Sequence, residues 1–132
     1  MKKILLSLVV LLSGCTVVDA YLMTKYDPNE YQMITDIRSK ARQSKAQCDD
    51  FNVSKINSSI TAYSTQLFAL YSEHIPRNKD LIEGSQALNV VAQGLSDQYK
   101  NTKVSPAFCK IKFESIETSA EKMQIVIGRR PR

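Results

Sequence analysis

Residues 105–128 read SPAFCKIKFESIETSAEKMQIVIG, and this stretch carries the signals of one complete helix. Ser105 and Pro106 form a typical start, because serine caps free amide groups and proline is preorganised for the first turn. Apolar residues then recur at alternating steps of four and three, as on one helical face: Cys109, Phe113, Ile116, Ala120, Met123 and Ile127. Gly128 is a typical helix end. The stretch predicts a helix over residues 106–127.

A similar segment lies between residues 27 and 48. Asp27 as the N-cap, Pro28 in the first turn and Glu30 bonding back to the cap form a typical helix start. Its apolar face carries Tyr31, Ile34, Ile37, Ala41 and Cys48. We therefore predict a first helix over residues 28–48.

The next segment repeats the alternating steps over its whole length. Asn52 is its predicted N-cap, and Pro76 ends it because proline disfavours helical backbone at the preceding residue. Its apolar row is Ile56, Ile60, Tyr63, Leu67 and Leu70, followed at the same spacing by His74. We predict a second helix over residues 53–74 with this row as its inward face.

A third helix is predicted to begin after Asn78 as its N-cap. Its apolar face carries Leu81, Leu88, Val91, Leu95 and Tyr99, with the small Gly84 or Ser85 at one step. Gly84 and Gly94 leave two interpretations open. Either a neighbouring helix approaches closely, or each glycine is simply tolerated at a cost of about 1 kcal/mol.

Four helices of nearly equal length joined by short connections favour one architecture. Short loops make consecutive helices run in opposite directions. The sequence therefore predicts an all-α fold, an antiparallel up-down four-helix bundle over residues 27–128. A different packing of the same helices is the alternative.

The first fifteen residues carry targeting signals. Lys2 and Lys3 precede the apolar run 4–12, which is typical of a secretory signal and too short to cross a bilayer. The stretch LSGC that ends at Cys15 resembles a bacterial lipobox. This resemblance implies cleavage before Cys15, a diacylglycerol on its sulfur and a fatty acid, such as palmitate, on its new amino group. An ordinary signal peptide cut elsewhere is the alternative.

The lipobox resemblance also implies an organisation and a location. Residues 1–14 are then the signal peptide, and 15–26 are the acylated cysteine and a tether that anchors the domain to membrane lipid. Enterobacterial lipoproteins with aspartate after the cysteine stay in the inner membrane, so Thr16 favours the periplasmic face of the outer membrane. Phages and plasmids also encode lipoproteins of this kind.

Cys48 and Cys109 remain once Cys15 is acylated, and an exported protein permits them to pair. In the predicted bundle the first helix ends where the fourth begins, so both cysteines lie at the same end. We predict a disulfide between them, which stabilises the fold by about 4 kcal/mol by restricting the unfolded chain. Two buried thiols or an intermolecular bond are the alternatives.

The positive charge is concentrated in a four-residue tail, 129–132. Without Lys2 and Lys3 the chain has 16 basic and 13 acidic residues, and the excess of three equals Arg129, Arg130 and Arg132. A nucleic-acid partner is therefore not expected. One hypothesis is that these arginines contact anionic lipid head groups beside the tether. A solubilising tail is the alternative.

The chain offers few groups for catalysis. Haem ligation by His74 with Met33 or Met123 is one interpretation, and a packed or helix-capping histidine is the favoured one. The acidic residues of the fourth helix are interpreted as a solvated face that pairs with basic residues of the first; these are Glu114, Glu117 and Glu121, and Arg38, Lys40, Arg42 and Lys45. Phosphate-loop, nucleophile-elbow and zinc motifs are lacking. We expect no cofactor, no metal and no enzymatic activity.

An anchor and a rigid body without convergent chemical groups predict a non-enzymatic interaction module of the bacterial envelope. It would be a subunit of an envelope complex or a phage- or plasmid-encoded exclusion factor. Four aromatic residues are candidates for contacts with an envelope protein, or for the core; they are Phe51, Phe68, Tyr71 and Phe108. A lipoprotein that binds a small ligand or inhibits an enzyme is the alternative function.

Overall fold

The computed structural model describes residues 24–132, so the predicted signal peptide, Cys15 and most of the predicted tether lie outside the described residues. Four helices follow one another in this part of the chain: α1 Pro28–Ala46, α2 Phe51–Glu73, α3 Lys79–Asn101 and α4 Pro106–Gly128. Within the described part of the chain, none of them is long and apolar enough to cross a membrane.

The helices form the predicted antiparallel up-down bundle. The most extensive packing joins α1 to α4 and α2 to α3, and smaller contacts join α1 to α2 and α3 to α4. Each helix therefore lies beside its neighbours in sequence, and the first and last helices close the ring. One end of the bundle contains Glu30 and the other Cys48; we call them the Glu30 end and the Cys48 end.

The hydrophobic core is built mainly from α1, α3 and α4. Its fully buried large side chains from these helices are Ile34, Ile37, Leu95, Phe113, Ile116 and Ile127. Burying one such side chain stabilises the fold by about 1.5–3 kcal/mol. From α2 the core receives Phe68 together with the small Ala62 and Ala69.

The predicted inward face of α2 is wrong. All five large apolar residues of that row are exposed, from 40% at Ile60 to 62% at Tyr63. The face of α2 that packs into the bundle has the same spacing but is shifted by two residues toward the N-terminus. Its members are Ser54, Ser58, Thr61, Thr65, Phe68 and Ser72. Both rows have helical spacing, so periodicity alone does not decide between them.

Hydrogen bonds make several members of this small polar face compatible with burial, whereas the Thr61 hydroxyl is buried without a hydrogen-bond partner among the described residues. The Ser58 hydroxyl donates to the Lys55 carbonyl at 2.7 Å, and the Thr65 hydroxyl donates to the Ala62 carbonyl at 2.9 Å. Ser54 donates to the Gln47 carbonyl at 3.0 Å. A buried hydroxyl costs little once it is hydrogen-bonded, and small side chains let α2 and α3 approach closely.

Several helix boundaries differ from the sequence-based expectation. The α1 helix ends at Ala46 rather than residue 48, and α2 begins at Phe51, because Asp50 and not Asn52 is its N-cap. The Asp50 side chain accepts a hydrogen bond from the Val53 amide at 3.0 Å. The predicted caps Asp27 and Ser105 are confirmed.

The predicted disulfide is present at the Cys48 end. Cys48 follows α1, Cys109 lies in the first turn of α4, and both are buried. The bond joins residues 61 positions apart and covalently links the first helix region to the last helix.

Candidate functional site

The most unusual surface of the molecule is the exposed apolar row of α2. We call this row, Ile56, Ile60, Tyr63, Leu67 and Leu70, the α2 ridge. Single exposed apolar residues are normal on a soluble protein, whereas a continuous exposed row along one helix is a candidate interaction surface. The row follows steps of four and three, so its members lie above one another along about four helical turns.

The α2 ridge lies within an uncharged segment of its own helix. Residues 56–72 contain no Asp, Glu, Lys or Arg. On the α3 side, the Ser59 and Ser96 hydroxyl oxygens are 3.4 Å apart. On the α1 side, the Asn57 amide donates to the Gln47 side chain at 2.8 Å. The α2 residues beside the ridge can thus form hydrogen bonds and carry no charge, whereas Asp36 and Lys40 of α1 line a groove with Ser64.

His74 continues the spacing of the α2 ridge and is exposed at the C-cap of α2. Met33 and Met123, the residues considered as possible haem partners, pack against the hydrophobic core. Across residues 24–132, no three His, Cys, Asp or Glu side chains are grouped as metal ligands would be.

A buried polar cluster, the Glu30 cluster, occupies the Glu30 end. The carboxylate of Glu30 accepts hydrogen bonds from Arg130 Nη1 at 2.5 Å, Asn78 Nδ2 at 2.7 Å and Ser72 Oγ at 3.0 Å. Arg130 also donates through Nη2 to Asn78 Oδ1 at 2.5 Å. Since Glu30, Ser72, Asn78 and Arg130 come from or adjoin the four different helices, the cluster joins all of them at one point.

The Glu30 cluster corrects three sequence-based predictions. The Glu30 carboxylate points into the bundle instead of back to the Asp27 amide, and Asn78 occupies the N-cap of α3 without a capping side-chain bond. Arg130 is 8% exposed and held by Glu30 and Asn78, so it is not placed to contact lipid head groups. Sequence reasoning missed the pairing because residues one hundred positions apart give no local signal.

The other two tail arginines, Arg129 and Arg132, are exposed. The Arg132 guanidinium lies over the Tyr26 ring, 4.8 Å from its centroid, and the Tyr26 amide donates to the Pro131 carbonyl at 2.9 Å. The C-terminal tail therefore lies against the segment that leads into α1. Membrane contact by Arg129 and Arg132 stays a prediction.

A small cavity adjoins the Glu30 cluster. Its volume is about 230 Å³, and its lining residues are Thr24, Arg77, Asn78, Asp80, Leu81, Val126 and Arg130. Small-molecule sites usually measure about 300–1,000 Å³ and have mostly apolar walls. Several lining side chains here are polar or charged, and Asn78 and Arg130 are already engaged by Glu30.

Ion pairs join α1 to α4, as predicted. Arg38 Nη2 lies 2.8 Å from Glu121 Oε1, and the Glu117 carboxylate receives Arg42 Nε at 2.7 Å and Lys45 Nζ at 3.0 Å. Hydrogen bonds from Arg42 and then Lys45 hold the pKa of Glu117 below its usual range, against the opposing effect of burial.

The remaining members of the two charged groups lie elsewhere on the surface. Glu114 is exposed, and Lys40 lines a shallow groove between α1 and α2 beside Asp36. The interpretation of a solvated acidic face therefore holds for the exposed Glu114 and is wrong for Glu117, which is buried beneath its basic partners.

The four aromatic candidates divide between core and surface. Phe68 is fully buried, so it is a core residue and not a contact residue. Phe51 packs on Tyr99 with ring centroids 5.4 Å apart, and Tyr71 donates its hydroxyl proton to Asp27 Oδ1 at 3.1 Å. Phe108 lies under Lys112 Nζ, 5.4 Å from the ring centroid. None of these three belongs to the α2 ridge.

We found no match to this chain among protein-family models, curated proteins or solved structures.

Proposed function

We propose that the protein is a lipid-anchored, non-enzymatic interaction module of the bacterial envelope, and that it contacts another polypeptide through the α2 ridge. The observation that carries the proposal is the placement of five large apolar side chains outside the bundle, while small polar side chains of the same helix face inside. Solvent exposure of such a row is unfavourable unless a partner covers it.

The membrane anchor rests on the lipobox at Cys15. Two or more acyl chains on one cysteine give stable membrane attachment, and Thr16 favours the periplasmic face of the outer membrane. The structured segment before α1 packs against the C-terminal tail at the Glu30 end. The anchor would therefore join the bundle at this end and leave the side of α2 free to meet a partner.

A test of the anchor is metabolic labelling with palmitate in a Gram-negative host. The wild-type chain is expected to incorporate label and to fractionate with outer membranes, whereas Cys15→Ala is expected to do neither. An unlabelled wild-type chain would contradict the anchor. Cys48→Ala/Cys109→Ala is the matched control, because it removes cysteines but leaves the lipobox intact.

A test of the interaction uses p-benzoylphenylalanine, a photo-crosslinking amino acid, in intact cells. At Gln66, which is exposed beside the α2 ridge, it is expected to give a covalent adduct with a polypeptide. At Thr118, which is exposed on α4, the same reagent is the control. Equal adduct yield at the two positions would contradict a specific role of the ridge.

The two biological roles within this proposal differ in one outcome. Expression of an exclusion factor in a sensitive cell protects that cell against phage infection or conjugation, whereas expression of a complex subunit does not. The alternative function predicted from the sequence is a small-ligand or inhibitor module. A non-protein molecule retained through purification would favour it.

A further inference from the structure

We infer that the partner of the α2 ridge is a second copy of this chain, with the two α2 helices packed side by side. This inference rests on the proposed function, since it names the polypeptide that the ridge contacts.

The spacing of the ridge suits a helical partner. Steps of four and three from Ile56 to Leu70 give a mean period of 3.5 residues, the period at which two helices interlock along a shared seam. The α2 helix of another copy carries the same spacing over the same length.

The exposed area agrees with a pair of identical ridges. The five side chains are 40–62% exposed, which corresponds to roughly 500 Å² per chain, so two ridges that cover each other completely bury at most about 1,000 Å², the lower limit for a specific interface. Confinement of both copies to one membrane surface raises their effective concentration, so a contact of this size suffices there.

The absence of charge between residues 56 and 72 favours self-association. Two identical charged surfaces repel each other, whereas an unlike partner is typically selected by complementary charge. The ridge is flanked by Asn57, Ser59, Ser64 and Gln66, which present no charge. The nearest groove on the α1 side contains one acidic and one basic side chain, Asp36 and Lys40, so two copies can also match there.

Photo-crosslinking from position 66 tests the inference by identifying the partner and the residue that it contacts. Gln66 lies next to Leu67, within the length of the ridge and three residues beyond its central member Tyr63, so p-benzoylphenylalanine at this position reaches the partner's α2 in parallel and antiparallel pairs. The full chain, carrying Cys15, is expressed in a Gram-negative host and irradiated. The expected product has twice the mass of the chain, and mass spectrometry joins position 66 to a residue of α2 in the other copy.

A pair of charge substitutions provides the matched test. Leu67→Glu places a carboxylate in the ridge and is expected to lower the yield of the doubled product at least tenfold. Val90→Glu, at a position of α3 that is 70% exposed and outside the ridge, is expected to leave the yield unchanged. Helical circular dichroism of both variants shows whether they fold; if Leu67→Glu does not fold, Ile60→Gln replaces it.

The outcomes separate the two proposals. An adduct between position 66 and a different protein overturns the second copy as partner and leaves the proposed interaction module standing. A doubled product joined outside α2 also overturns the inference. No adduct with any polypeptide overturns both.

Discussion

The carboxylate of Glu30 and the guanidinium of Arg130 form a buried ion pair of 2.5 Å between residues one hundred positions apart. Their side chains are 0% and 6% exposed, and Asn78 and Ser72 supply further hydrogen bonds. A buried charge is acceptable when it is paired and hydrogen-bonded in this way. The last residues of the described chain are thereby part of its structural framework.

Removal of one partner of this pair is expected to be strongly destabilising. Arg130→Ala leaves the Glu30 charge buried without its main partner, and we expect the free energy of unfolding to fall by about 3–5 kcal/mol. Urea denaturation followed by circular dichroism measures it. Arg129→Ala, at the exposed neighbouring position, is the control and should change stability by less than about 0.5 kcal/mol. Equal effects of the two substitutions would refute a structural role for Arg130.

Adjacent residues of α2 test which of its faces is buried. Phe68→Ala removes a fully buried ring and should cost about 3–5 kcal/mol. Leu67→Ala removes a side chain at a position that is 40% exposed and should cost less than about 1 kcal/mol in the monomer. A larger loss of stability in Leu67→Ala than in Phe68→Ala would mean that the large apolar row faces the core. Urea denaturation at low protein concentration distinguishes the two cases.

Loss of the Cys48–Cys109 disulfide is expected to weaken the fold substantially. In the chain-entropy account, a link across 61 positions stabilises by about 4 kcal/mol. Cys48→Ala/Cys109→Ala should therefore unfold at a clearly lower urea concentration than the oxidised wild type. Addition of a thiol reductant should lower the stability of the wild type close to that of the variant and leave the stability of the variant unchanged. If the reductant also destabilised the variant, its effect on the wild type could not be attributed to this disulfide.

The lowered pKa of Glu117 predicts a specific acid dependence. Because Arg42 and Lys45 stabilise the ionised carboxylate, the contribution of Glu117 to stability is complete above its unfolded pKa, near 4.5, and is lost as pH falls through the lower folded pKa. Wild type and Glu117→Gln should therefore differ most in unfolding free energy near neutrality and converge in acid. Glu114→Gln, at an exposed position, should show no such convergence; a constant difference for Glu117→Gln would contradict the pairing.

The two helical glycines of α3 are expected to respond differently to alanine. At Gly94 an added Cβ meets no atom within 4 Å, so Gly94→Ala should stabilise by about 1 kcal/mol through helix propensity. At Gly84 the added Cβ lies 3.2 Å from Met123 Cε, so the gain should be smaller because the methionine must shift. Thermal unfolding of the two variants compares them directly. The larger gain at Gly84 would show that α3 and α4 do not approach closely there.

Much of the fold follows from local signals. The caps at Asp27 and Ser105, the proline at each of these helix starts, and the 4-3 spacing predict four helices and their antiparallel order, because these signals act within a few residues. The disulfide follows from this topology and the cysteine positions. Of the two interpretations of the α3 glycines, close approach applies at Gly84, where Met123 lies nearby, and simple tolerance applies at Gly94, which faces open space.

The candidate site could not be assigned from sequence for two physical reasons. The α2 helix carries two rows with the same spacing, and the choice between them depends on how much volume the other three helices leave inside the bundle. The charge-free stretch 56–72 is a local signal that does distinguish α2 from its neighbours. The Glu30–Arg130 pair depends on the meeting of distant chain segments, which no local pattern encodes.

The disulfide and the Glu30–Arg130 pair fasten α1 to α4 at opposite ends of the bundle. Neither the disulfide nor the ion pair itself includes a residue of the α2–α3 hairpin, which is held by packing and by hydrogen bonds, with Ser72 and Asn78 donating to the Glu30 carboxylate at one end. Under a pulling force or in a mild denaturant, α2 and α3 should therefore separate from the bundle together, while α1 and α4 remain joined to each other. Amide hydrogens of α2 should exchange with solvent sooner than those of α1, and any molecule that covers the hairpin should slow that exchange.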